Sequence, residues 1–481
     1  MRSVAVALLG AACVTDPLRL ASAETPAPTA VYAKTRFVWI RREPSWSSPW
    51  LGYLWIGGSV ALASPRPVYA LGCERWYAVV PRGFVCVDER RATLNAADPE
   101  YVAVASHAPD FESPTPHRYA ESLGTPVYFS LPTDGEEHAR EPDLGVRQGL
   151  LSSASAGGVR DASIAGVDLT AATVDAVAFS SLPADIQMQR NVLPHGATVA
   201  YTDEYRYGGR SWLLTSDFSW VPKDRVRPYA PSPFQGVTLD DATRLPLAFF
   251  REHDRPAFRR TDHGDFASVQ EGFRRLTWAP LTGRKEAVGG ATYLETTRDG
   301  LWVLATDAVV PVPSERTPWG ARVGEPDDSR ARPAGRATWL EVSVYGGWLI
   351  AYEGTRPVFA TLMSPGRGGA ATKDRDTIRT ASTPVGRFSV SGKFVTATMD
   401  ARGGQSHAEV PWTQNFSGPH AIHTAYWHDA WGERASGGCV NVSPRDGKWL
   451  FDFSEPELPR GWYGVRSDAS AGGSTIVMIH R

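Results

Sequence analysis

Three tryptophan-led stretches constrain the fold more than any other feature of the sequence: WYAVVPRGFVCVDERR from Trp76, WLLTSDFSWVPKDRV from Trp212 and WVLATDAVVPVPSER from Trp302. Each follows an apolar, strand-like run, TRFVWIRREPSW at 35–46, TPVYFSLPT at 125–133 and PLAFFREHDRPAF at 246–258. Apolar runs broken by Gly, Pro and Asp read as hairpins, and a recurring pattern of them reads as a repeated supersecondary unit. Thr215-Ser216-Asp217 aligns with Ala305-Thr306-Asp307, which pairs Trp212 with Trp302. Small β-barrels are the expected form. The 17 Trp, 45 Gly and 37 Pro agree with a mainly β chain, and 481 residues exceed one compact core.

The divisions expected along the chain follow from texture. Residues 33–95 form a first β module, 120–235 a second with an Ala/Ser/Gly-rich insertion at 149–195, and 244–320 a third. Residues 321–336, containing VGEPDDSRARPAGR, read as a charged, proline-bearing linker. From Ala337, ATWLEVSVYGGWLIAYEGTRPVFATLMSPG alternates across three short strands with glycine turns, predicting a hairpin-built sheet at the head of a final domain, 337–480.

At the N-terminus, an apolar run from Val4 to Val14 precedes Ala21-Ser22-Ala23, the pattern of a secretory signal over 1–23. Cys13 offers the alternative of a lipid anchor, although the glycine three residues before it is a poor lipobox match. No other segment approaches about 20 uninterrupted apolar residues, so no further membrane span is expected. Cys73 and Cys86 flank the turn Pro81-Arg82-Gly83, and a hairpin of that length can pair them as a disulfide in an oxidising compartment. Cys439 is then left as a candidate reactive thiol. With 50 basic against 52 acidic side chains there is no overall field to recruit nucleic acid.

Chemistry concentrates in residues 420–441, HAIHTAYWHDAWGERASGGCVN. A cysteine nucleophile needs a base or dipole to form its thiolate and donors for the oxyanion that develops. Cys439 follows Ser436-Gly437-Gly438, where side-chain-free backbone can approach a carbonyl. Ser443 as N-cap and Pro444 at the first helical position predict a helix just beyond, which puts the thiol on a strand or turn before it. His420, His423, His428 and Cys439 are also zinc-ligand types, but their spacing matches neither C-x-x-C nor H-E-x-x-H, so no metal is expected. Tyr426 and Trp427 read as core or cleft-wall aromatics, and His428-Asp429 as a polar turn.

Ile422-His423, followed by Cys439 within Ser-Gly-Gly-Cys-Val-Asn, resembles the L,D-transpeptidase (YkuD) catalytic motif. HTAYWHDAWG, CVNVSPRDGKWLFDF and the upstream EVSVYGGWLIAYEG and TPVGRFSV extend the resemblance over about residues 337–480. LGYLWIGGSVAL with GCERWYAVVPRGFVC resembles a bacterial SH3-like module. What these resemblances imply is a β-rich transpeptidase domain with short helices, preceded by SH3-like β-barrels that position it on the wall. Cys439 would be nucleophile and His423 general base. Gly438 and Cys439 N–H groups would hold the oxyanion, and Ser436, Gly437, Asn441 and Thr424 would shape the pocket. The family has histidine where this chain has Gly437. The implied substrate is the peptidoglycan tetrapeptide stem, acylating Cys439 with release of D-alanine and giving 3→3 cross-links in the periplasm or cell envelope without a cofactor. The competing reading is a non-catalytic wall-binding scaffold whose transpeptidase domain has decayed.

Overall fold

The computed structural model describes residues 27–144, 191–333, 335–372, 376–400, 406–468 and 473–481. The signal-like segment with Cys13 and most of the 149–195 insertion lie outside the described residues. Short strands dominate and the chain is mainly β. Among the described residues no helix is long and apolar enough to cross a membrane.

The C-terminal part is built on two sheets and one helix. In the first sheet the order is Val237–Thr238, Arg356–Leu362, Trp348–Glu353, Thr338–Ser343, Ile476–His480 and Gly386–Ser389. Thr338–Ser343 is buried along its whole length, because both faces are covered: Leu340 and Val342 enter one core and Trp339 another. Its parallel pairing with Ile476–His480 closes the domain on itself. The second sheet carries Val440–Val442, His420–Thr424, Ser406–Ser417, Gly392–Asp400 and Gly464–Arg466. Between the two lies an apolar core of Leu340, Phe359, Ile422, Val440, Leu450 and Val477, to which the helix Pro444–Phe453 contributes Leu450.

The second sheet does not stop at the C-terminal part. Gly464–Arg466 also pairs with Trp50–Leu54, through Gly52↔Val465 and Tyr53↔Gly464, and the sheet runs on as Val38–Arg41, Phe84–Val87, Cys73–Ala78 and Val68–Ala70. Two glycines allow the joint. A Cβ at Gly52 would lie 2.3 Å from the Trp462 ring, and one at Gly464 2.5 Å from the Tyr53 ring. The first β unit is therefore continuous with the C-terminal sheet, and Trp462 and Val465 belong to its core beside Ile40 and Leu51. Cys73 and Cys86 are joined by a disulfide across the hairpin of that unit.

The second unit is a five-stranded sheet ordered Trp220–Pro222, Arg210–Thr215, Thr198–Tyr207, Arg118–Ser122, Val226–Pro228. The third is six-stranded, ordered Leu247–Phe250, Thr277–Val288, Ala291–Thr296, Trp302–Leu304, Arg255–Arg260, Phe266–Phe273. Trp220–Pro222 leads into a 3-10 turn at Lys223–Arg225, and Trp302–Leu304 into one at Ala305–Asp307, followed by a bridge from Val309 to Phe249. The counterpart of Trp302 is thus Trp220, not Trp212, and the third tryptophan stretch is a strand and turn instead of a hairpin. Similar composition around Trp212 and Trp302 suggested the other alignment; the hydrogen-bond ladders decide it.

Asp446, fully buried in the first turns of the helix, ties the segment between the second and third units to the C-terminal part. It accepts from Gly236 N–H at 2.8 Å and from Thr361 Oγ1 at 2.6 Å. Burial raises its carboxyl to about 6. A carboxyl raised in the folded state binds its proton there before the unfolded chain does, so stability is highest at acid pH and falls as pH rises from about 4 through about 6. Asp446→Asn keeps an acceptor and is expected to flatten that part of the curve in urea unfolding; a slope equal to wild type would show that Asp446 is not its source. Gly464→Val, which forces a side chain into Tyr53 and Phe394, is expected to cost about 1–3 kcal/mol in the same assay.

Candidate active site

The site is assembled on two adjacent parallel strands, His420–Thr424 and Val440–Val442, in the register Ile422↔Val440, His423↔Asn441 and Thr424↔Val442. His423 and Asn441 are opposite each other in this register and so share a face, and Cys439 lies in the bend immediately before the second strand. Ser443 caps the following helix, accepting from Asp446 N–H at 3.2 Å, and so fixes where the strand ends. The expected order of loop, thiol, short strand and helix is the observed one.

His423 is buried, and its Nδ1–H donates to the Thr424 carbonyl at 2.9 Å. That bond fixes the tautomer and leaves Nε2 as the lone-pair nitrogen. Burial lowers the ring to about 4, opposed by the Thr424 bond and reinforced by His407 and His428 nearby. The imidazole is therefore uncharged at neutral pH. Cys439 is partly exposed, with Sγ 3.9 Å from the Pro419 carbonyl. Desolvation pushes its thiol above the ordinary value, opposed by a hydrogen bond from the Ala421 backbone. The resting pair is thus a neutral thiol and a neutral base.

The loop before the thiol is braced from within. Ser436 Oγ donates to the Cys439 carbonyl at 2.6 Å and accepts from Gly438 N–H at 3.0 Å. Gly438 has φ +130°, and a Cβ there would meet His420 Nε2 and the Ser382 carbonyl, each at 3.0 Å. Only glycine fits. The Gly438 N–H, expected as an oxyanion donor, is taken by Ser436, a short-range competition for backbone donors typical of serine. The Cys439 N–H is the other expected donor. Gly437 is exposed, and a Cβ there would meet nothing within 4 Å.

Thr424 and Asn441 take different places from those expected. The Thr424 hydroxyl points at the helix, where a Cβ on Gly447 would lie 2.1 Å from it, so Thr424 serves the site through its carbonyl and not as a pocket wall. Asn441 is locked by its backbone to Ser364 in both directions, at 2.8 and 2.9 Å. Its side-chain amide lies 3.1 Å from His428 Nε2. Burial lowers His428 to about 4. Trp427 stacks on His407 with ring centroids 3.9 Å apart and lies 6.0 Å from the His423 ring. No sequence signal singled out His407, which reaches the site from the neighbouring strand Ser406–Ser417. Among the described residues no group of three or more His, Cys, Asp or Glu is arranged to hold a metal ion.

Residues 338–465 match the family model YkuD, L,D-transpeptidase catalytic domain. Similar solved structures include a cysteine-to-serine mutant of the Enterococcus faecium L,D-transpeptidase, 21% identical over 30% of this chain and 49% of that one, TM-score 0.22. The catalytic domain of the E. faecium enzyme is also similar, at 21% identity over 31% of this chain and 99% of that one, TM-score 0.22. An L,D-transpeptidase from Mycobacterium smegmatis is 12% identical over 53% of this chain and 89% of that one, TM-score 0.22. The chain spans about half the length of the first of these structures. No curated protein matches it.

Two outcomes test this geometry. Iodoacetamide labelling of Cys439 against pH is expected to inflect above the ordinary thiol value of about 8.5, and an inflection below it would mean an ion pair with His423. Gly437→His, entering open space, is expected to change unfolding free energy by less than about 0.5 kcal/mol.

Proposed function

We propose, from the YkuD L,D-transpeptidase catalytic domain at residues 338–465, that the chain is an exported peptidoglycan L,D-transpeptidase acting through Cys439. The observation that supports this reading is that His423 lies on a strand paired in parallel with Val440–Val442, the strand that Cys439 immediately precedes, with the His423 tautomer set by the Thr424 carbonyl.

As the carbonyl of the stem's third residue approaches, His423 Nε2 takes the proton from Cys439 Sγ while sulfur bonds to the carbonyl carbon. Because both groups rest neutral, transfer and attack are coupled. The oxyanion is held by the Cys439 N–H, and Ser436 keeps the turn that aims it. Collapse breaks the bond to D-alanine, whose nitrogen receives the proton from His423. An amine from a neighbouring stem then attacks the thioester, restoring the thiol and forming the 3→3 link; water in its place makes the reaction hydrolysis. No step calls for a metal or organic cofactor.

The N-terminal units are read as SH3-like wall-positioning modules, since the second and third each end in a strand, a 3-10 turn and a closing pairing. The Cys73–Cys86 disulfide suits an oxidising compartment and supports export to the periplasm or cell envelope through the segment 1–23.

Mass spectrometry of the chain incubated with disaccharide tetrapeptide is expected to give D-alanine loss with a thioester on Cys439 or a dimeric product. Cys439→Ala is expected to abolish both, and His423→Gln to slow them by about 10²–10⁴-fold. A folded chain with no adduct that still binds sacculi would move the reading to a non-catalytic scaffold and point to Gly437. Since His423 works as a free base, turnover is expected to fall on the acid side only as pH drops through about 4. An acid limb near the ordinary histidine value would place the working imidazole in water.

A further inference from the structure

The crossover between His423 and Ser436 is held by residues from outside the catalytic domain. Arg275, in the turn between Phe266–Phe273 and Thr277–Val288, donates Nη1 to Asp429 Oδ2 and Nη2 to the Asp429 carbonyl, both at 2.8 Å. The arginine is itself anchored, its N–H donating to Asp254 Oδ1 at 2.7 Å. Arg251 donates to the Gly432 carbonyl, and Trp431 Nε1 donates to Ser232 Oγ at 3.0 Å. An exposed ion pair alone contributes little to stability. This one grips a carboxylate and a backbone carbonyl together, so it fixes the path of the chain.

Next to Asp429 stands His428. Ala430 N–H donates to its Nδ1 at 3.2 Å, and its Nε2 lies 3.1 Å from the Asn441 amide. Asn441 lies two residues past Cys439 and opposite His423 in the parallel pairing. We propose that Arg275 is a positioning residue for the Cys439 centre: by holding Asp429 it sets His428 against Asn441 beside the nucleophile, so that the third β unit forms part of the working site. Its catalytic meaning rests on the transpeptidase reading. The loop also has supports within the catalytic domain, Ser364 Oγ to the Ala430 carbonyl at 2.6 Å and Gly432 N–H to the Met363 carbonyl at 3.2 Å. Loss of Arg275 therefore weakens the site without dismantling it.

The test uses the full chain with Arg275→Ala and Arg275→Lys. Three readouts are taken: the NMR titration of the His428 ring, D-alanine release from disaccharide tetrapeptide, and the unfolding midpoint. Arg275→Ala is expected to raise the His428 titration from about 4 toward 6.5. It is expected to lower kcat/KM about three- to thirtyfold with the midpoint held, Arg275→Lys falling between. Wild-type titration and turnover in Arg275→Ala would overturn the assignment. Failure of the transpeptidase reading would be seen separately, as a wild-type chain that releases no D-alanine; the His428 titration then decides for or against the clamp alone.

Discussion

Parallel pairing of His420–Thr424 with Val440–Val442 is the constraint from which the site follows. Parallel strands cannot be joined by a tight turn, so the chain must cross over between them, and the usual crossover is a helix packed on the sheet. Here residues 425–439 cross with turns but no helix or strand. A long irregular crossover leaves many backbone groups to satisfy. The surrounding contacts meet that need: Ser364 and Met363 from the first sheet, Ser232 from the segment before the third unit, and Arg251 and Arg275 from that unit itself. A catalytic loop held from several sides suits a reaction that demands fixed geometry.

The electrostatics follow from the same enclosure. Burial removes charge from His423, His428 and His407, each lowered to about 4. Three uncharged imidazoles around Trp427 avoid the mutual repulsion that protonation would bring. Cys439 is likewise held as the thiol, with only the Ala421 backbone hydrogen bond opposing desolvation. The site therefore stores no ion pair at rest.

Local signals in the sequence match the local structure. The interval from His423 to Cys439, the glycine before the cysteine and the Ser443-Pro444 helix start are all statements about neighbours in the chain, and they find their counterparts in the parallel register and the Ser443 cap. Contacts that join distant residues left no such trace. The Asp446 bonds to Gly236 and Thr361, the Arg275 grip on Asp429 and the pairing of Tyr53 with Gly464 each depend on how units dock. The direction of the Thr424 side chain and the diversion of the Gly438 N–H to Ser436 depend on packing within the site, which residue type alone does not encode. Composition misled once, in aligning Trp212 with Trp302, because strand identity resides in pairing partners.

Small β units strung on a chain move relative to one another by default, unless their interfaces are large and apolar. Here one apolar cluster draws Tyr53 and Trp55 from the first unit, Trp212 and Trp220 from the second, and Trp412, Phe451 and Tyr463 from the catalytic domain. Tyr119 of the second unit stacks on Tyr426, three residues past His423, with ring centroids 3.8 Å apart. The first unit shares a sheet with the catalytic strands, and the third grips the crossover. Swinging any unit away would expose aromatic surface or break a ladder. These contacts hold the units and the catalytic domain together as one packed assembly.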